Sequence, residues 1–123
     1  MLARIVWLVG SLFLLSHVRL CPQDVMIIEY PDEQVVPSLS GVVRDPAEVP
    51  MAGVLVEEFR SDWKTALRST KTDKEGHFAM NEVKGREVYF LQFSARNCTP
   101  IRVRVKVDRG HGKELQVQMV KNR

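Results

Sequence analysis

The sequence predicts an all-β fold, a seven-stranded antiparallel β-sandwich. Three observations predict it. From residue 38 onward, apolar and polar residues alternate in short runs. Turn-forming residues punctuate these runs every 8–12 residues or so, and no segment keeps a helical period. The chain has 123 residues, enough for one ordinary domain. Hydrophobic residues make up 45 % and aromatics only 7 %, so the core must rest on Val, Leu, Ile and Met.

The clearest element is Ile101-Arg-Val-Arg-Val-Lys-Val107. A period of two puts Ile101, Val103, Val105 and Val107 on a core face, and Arg102, Arg104 and Lys106 on the opposite face. Asp108 to Gly112 reads as a turn. Leu115, Val117 and Met119 then alternate with Glu114, Gln116 and Gln118, which predicts a closing antiparallel hairpin.

Upstream, Val88–Ser94 is a strand with Tyr89, Leu91 and Phe93 on one face and Val88 and Phe90 on the other. That pattern calls for cover on both sides, or for an interface. His77–Met80 is a short strand with Phe78 and Met80 inward, entered through the turn Asp73-Lys-Glu-Gly76. Ala66–Thr72, Gly53–Phe59 and Leu39–Val43 complete the seven. Pro46 and Pro50 bracket the loop between the first two strands in chain order, because proline fixes φ and cannot donate to a ladder.

The first 20 residues read as a signal peptide. Arg4 supplies a positive start, Ile5–Leu15 is apolar, and Ser16–Arg19 restores polarity. Eleven apolar positions fall short of the roughly 20 that a membrane helix needs. The small residues that normally precede a cleavage point are missing near residue 20. Cys21 raises lipidation, against which Arg19 and Leu20 stand where small residues normally precede a lipidated cysteine, and an uncleaved membrane anchor is the other alternative. Each of the three implies export: periplasmic, envelope-associated or secreted. Contact with a membrane is expected only through this leader. Residues 21–37 contain three prolines and four acids and read as an acidic tether in which Val25–Ile28 can pair as a short edge strand. Residues 38–121 are the predicted sandwich.

Charge and cysteine usage narrow the function. The formal net charge of +3 includes Arg4 and Arg19; without them, 16 basic side chains face 15 acidic ones, a net of +1. Phosphate-backbone binding needs concentrated positive charge, so no nucleic-acid partner is expected. Cys21 and Cys98 form no Cys-x-x-Cys pair, which removes the zinc ribbon and the thioredoxin-like site. In an oxidising compartment the two can form one disulfide or stay apart.

Several segments together resemble a known family. Ser40-Gly-Val-Val-Arg-Asp45 followed by Val49-Pro-Met-Ala-Gly-Val-Leu-Val56 is similar to the opening of carboxypeptidase regulatory-like domains. Thr72-Asp-Lys-Glu-Gly-His-Phe78 resembles their central turn, and Tyr89-x-Leu-x-Phe-Ser-Ala95 the strand that follows. The likeness spans about residues 38–120. It implies a transthyretin-like sandwich without chemistry of its own, of the kind found beside other exported domains in bacterial cell-surface proteins. Behind a leader, its expected partner is another chain or a surface: an envelope protein or a polysaccharide. No cofactor is expected.

Catalytic readings are weak. His111-Gly-Lys-Glu114 matches the His-x-x-Glu zinc motif of metallocarboxypeptidases that carry such a domain. Zinc catalysis also needs a third ligand and a cleft, and no histidine follows residue 111. Hydroxyisourate hydrolases, which share the transthyretin fold, end in Tyr-Arg-Gly-Ser; this chain ends Met119-Val-Lys-Asn-Arg123. Asp73 and Glu75 offer calcium too few oxygens, and Asp73 suits the capping of its own turn. The candidate contact surface is Arg102, Arg104 and Lys106, a positive stripe about 14 Å long, together with Trp63 in the loop Arg60–Lys64. The stripe can meet an anionic surface or serve as a solvated face that guards a strand edge. Trp63 can anchor a ligand or fold back over the sandwich. An assembly role, in which an open sheet edge pairs with another copy, is the alternative to binding, and the oligomeric state is left open.

Overall fold

The computed structural model describes residues 26–122. The leader, Cys21 and the start of the acidic stretch lie outside the described residues. The fold is all-β, as expected, in two packed layers. Among the described residues no helix is long and apolar enough to cross a membrane.

Among the described residues, eleven strands stand where seven were expected: β1 (Ile28–Glu29), β2 (Gln34–Val36), β3 (Ser40–Arg44), β4 (Leu55–Phe59), β5 (Ala66–Lys71), β6 (His77–Ala79), β7 (Val88–Ser94), β8 (Cys98–Thr99), β9 (Ile101–Val107), β10 (Leu115–Gln118) and β11 (Val120–Lys121). The larger sheet runs β1-β9-β7-β4-β5, with β2 beside β1 along the same edge of β9. The smaller sheet runs β10-β3-β6, and β11 pairs with β8. The additional strands, β1, β2, β8 and β11, are two or three residues long, too short to show a period.

Two expectations need correction. The sheets are mixed: β1 and β2 pair parallel to β9, and β10 pairs parallel to β3. The closing hairpin does not form either. β9 lies in the larger sheet and β10 in the smaller one, so residues 108–114 carry the chain from one layer to the other. Alternation reveals which side of a strand is greasy and leaves its neighbour unspecified. Both strands bury their apolar rows in one shared core, so either pairing satisfies the pattern.

The core is where the inward rows meet. Tyr89, Leu91 and Phe93 of β7, Ile101, Val103 and Val105 of β9, and Val56 of β4 are buried. Val43, Phe78, Leu115, Val117 and Met119 face them from the other layer. Phe78 and Phe93 meet edge to face across the layers with centroids 5.4 Å apart. Each such Val, Leu or Phe contributes about 1.5–3 kcal/mol relative to exposure.

The stretch read as a tether is built into this body. Val36 is 1 % exposed. The Ile28 and Tyr30 amides donate to the Pro100 and Arg102 carbonyls at 2.9 and 3.0 Å. Asp45 and Asp73 each spend one carboxylate oxygen on the amides two and four residues on, at 2.8–3.0 Å, which fixes both turns. Gly76 sits at φ +77°, and a Cβ there would lie 2.6 Å from the Val43 carbonyl. That position needs both the left-handed backbone and the missing side chain.

Candidate functional site

The outer face of the larger sheet carries the chemistry-bearing side chains. Tyr89, Leu91 and Phe93 point inward, so Phe90 and Gln92 point outward. β9 lies beside β7 in antiparallel register, with Phe90 opposite Arg104 and Gln92 opposite Arg102. β4 flanks β7 on the other side, with Phe59 opposite Phe90. The alternation of three strands thus gathers two aromatic rings, an amide and two guanidiniums on one surface.

Trp63 completes it from the β4–β5 turn. The Arg60 amide donates to the Thr65 carbonyl at 3.0 Å, the Trp63 amide to the Arg60 carbonyl at 2.9 Å, and the Lys64 amide to Asp62 Oδ1 at 2.8 Å. These bonds close a tight loop that holds Trp63 at φ +62°, a left-handed conformation uncommon for a bulky residue. The ring folds back over the sheet. It meets Phe90 edge to face at 5.5 Å and Phe59 at 6.0 Å. The Arg102 guanidinium lies 4.8 Å from its centroid, within cation–π range. Trp63 is half-buried as a result.

Of the four residues singled out in the sequence, the structure brings Trp63, Arg102 and Arg104 together along an open groove of about 550 Å3. Phe90 and Ser61 also line it, and Glu29 and Tyr30 of the N-terminal strap form its rim. Lys106 lies one strand step farther along the same face, opposite Val88 and beside Val35, outside the groove. Arg102 Nε donates to Gln92 Oε1 at 2.9 Å. Arg104 is exposed and makes a long contact, 3.5 Å, from Nη2 to the Pro31 carbonyl. Among the described residues, no carboxylate forms an ion pair with Arg102, Arg104 or Lys106.

Of the strap formed by β1 and β2, sequence reasoning offered only a short edge strand ending at Ile28, and it missed a buried ion cluster. Glu58 is 2 % exposed. Its Oε1 accepts from Arg68 Nε and its Oε2 from Arg86 Nη2, each at 2.6 Å. Arg86 also lies over the Tyr89 ring at 5.0 Å. The Tyr89 hydroxyl accepts from the Val83 amide at 2.8 Å and donates to the Arg86 carbonyl at 2.9 Å. Counting by twos from Val54 and Val56 puts Glu58 inward, and that was the available signal. A smaller hollow of about 300 Å3 lies beside this cluster, beyond Ser61 and Phe90.

The His-x-x-Glu motif is not gathered. His111 Nδ1 faces Asp108 Oδ1 at 3.2 Å, while Glu114 Oε2 faces His77 Nδ1 at 3.8 Å. Among the described residues, no three His, Cys, Asp or Glu side chains converge as a metal site would require. Cys98 is buried, and its suggested partner Cys21 lies outside the described residues.

No curated protein matches the chain. The carboxypeptidase regulatory-like domain model matches residues 38–120, which take in β3 through β10 and the start of β11. The two-layered all-β body and this match over two thirds of the sequence agree: the chain belongs to the carboxypeptidase regulatory-like domain family, a family of non-catalytic β-sandwich modules.

Proposed function

We propose that the chain is an exported, non-catalytic binding module that holds an envelope protein or polysaccharide against the outer face of its larger sheet. One observation carries this reading. Trp63 is fixed between Phe90 and Arg102 beside an open groove that Arg104 also lines. A half-exposed aromatic held in place loses little freedom on binding, and arginines without acidic partners supply direction. Export rests on the Arg4–Arg19 leader and on the company such domains keep.

The test is capture of envelope protein and glycan fractions by the purified chain, with quantitative affinity for whatever is retained. Replacing Trp63 by Gly and Arg102 and Arg104 by Gln is expected to weaken that affinity at least about tenfold, near 1.4 kcal/mol. Full affinity in all three variants would exclude this face. Cell fractionation with N-terminal sequencing checks export and locates the processing site.

A second reading, assembly through a sheet edge, is favoured by β5. This six-residue strand ends the larger sheet, and among the described residues only β4 pairs with it. Arg68 and Lys71 on that strand work against self-pairing by like charge. Light scattering that shows a dimer growing with concentration would favour assembly over binding.

A further inference from the structure

Resting on the reading of the outer face as the binding surface, we infer that the groove's ligand is an acidic polysaccharide, a sugar polymer bearing carboxylates. Three observations lead there.

The first is charge without partners. Arg102 is held twice, by Gln92 through Nε and by the Trp63 ring beneath its guanidinium. Its internal hydrogen bond uses Nε alone, so among the described residues both Nη groups are left for a ligand. That is the fork a carboxylate accepts. Arg104 stands one step along the strand, and among the described residues its side chain makes one hydrogen bond, the long one to Pro31. Among the described residues Glu29 is the one acid that lines the groove; it stands opposite Arg102 in the β1–β9 register and forms an ion pair with neither arginine. The groove therefore has an excess of positive charge.

The second is the aromatic wall. Trp63 and Phe90 line the groove beside the arginines. Sugar rings lay their C–H faces on such surfaces, while their acidic groups reach a neighbouring cation.

The third is the lack of a backbone ladder. β9 is bordered by β7 on one side and by β1 and β2 on the other. An extended acidic peptide draws much of its affinity from main-chain bonds to an open edge, and among the described residues β9 leaves no such edge open to this groove. The cationic row continues to Lys106, about 13 Å from Arg102 at strand spacing. Such a row is longer than one sugar, so the ligand it suits is a polymer.

The experiment is titration of the full chain with polygalacturonate, neutral dextran and poly-L-glutamate, at low and at moderate salt. Polygalacturonate is expected to bind, and to weaken as salt rises. Dextran is expected to show no binding, and poly-L-glutamate to bind at least about tenfold more weakly than polygalacturonate. Arg102→Gln and Arg104→Gln should each cost at least about tenfold in polygalacturonate affinity. Trp63→Gly should do the same while suiting the φ of +62° at that position. A cooperative urea transition checks that each variant is folded.

Equal or tighter binding of poly-L-glutamate would replace the glycan with an acidic peptide. Equal binding of dextran would remove the role of charge. Failure of polygalacturonate to bind sinks the inference. In each of those cases, envelope capture that still depends on Trp63 leaves the binding-module reading standing. Capture indifferent to Trp63, Arg102 and Arg104 sinks both.

Discussion

At the scale of single residues, the most constrained group is the Glu58 carboxylate. A charge taken out of water costs several kcal/mol, and only close partners offset it. Here both oxygens are occupied, by Arg68 and Arg86 at 2.6 Å. The two arginine side chains keep 31 % and 38 % of their exposure, so their mutual screening is shared with solvent and the full buried-pair value does not apply. Arg68 Nη2 is buried without a hydrogen-bond partner, so the cluster is already incompletely satisfied. Removing its acid should hurt beyond the loss of two bonds. Glu58→Ala is expected to destabilise by about 2–4 kcal/mol, read as a fall in the urea midpoint with an unchanged slope. The double variant Glu58→Ala with Arg68→Ala should lose less than the sum of the two single losses, because one stranded charge leaves with the other. A single-variant loss below about 1 kcal/mol would mean the cluster is solvated and contributes little.

At the scale of elements, the strap formed by β1 and β2 decides the groove's outline and depends on one close approach. Gly112, in the connection between layers, sits at φ +76°, and a Cβ on it would run into the Val35 carbonyl of β2. Gly110 has φ +87° with nothing around it. Gly110→Ala therefore tests backbone strain alone, about 1–2 kcal/mol. Gly112→Ala adds overpacking worth about 1–3 kcal/mol and should loosen β2, with faster amide exchange at Val36 and at Asp108, whose amide donates to Val36 at 2.8 Å. Equal effects of the two substitutions would show that the strap does not rest on residue 112. The strap also marks where sequence reading stopped. The Ile101–Val107 strand announced its own two faces, and Phe78, Leu91 and Val117 were legible as core by period alone. β1 was legible only as a short edge strand ending at Ile28, and β2 was not legible, because two or three residues carry no period and the prolines around them argue for a linker. Trp63, Arg102 and Arg104 were each visible in the sequence. Their meeting was not, since it depends on a turn that folds across three strands.

At the scale of the whole molecule, the two layers are linked along one side by Tyr30. Its amide donates to the Arg102 carbonyl of the larger sheet at 3.0 Å, its ring packs against the shared core, and it lies beside Gln118 of the smaller sheet. Burial raises the phenol above its ordinary value of 10.0, and the nearby Gln118 backbone offsets part of that rise. The folded state thus holds the proton more tightly than the unfolded chain does. The stability that follows is complete below pH 10.0 and is lost as pH climbs through the folded-state value. Alkaline pH acts on a folded protein in more than one way, so the informative quantity is the difference between the wild type and Tyr30→Phe. The variant removes the hydroxyl beside the Gln118 backbone and should start up to about 1 kcal/mol less stable near neutrality. Having no phenol to ionise, it should decline less steeply above about pH 10. Urea midpoints of the two proteins should therefore converge between about pH 9 and pH 12. Parallel curves over that window would mean that Tyr30 ionises equally well folded and unfolded, and that the layers are held together on that side without it.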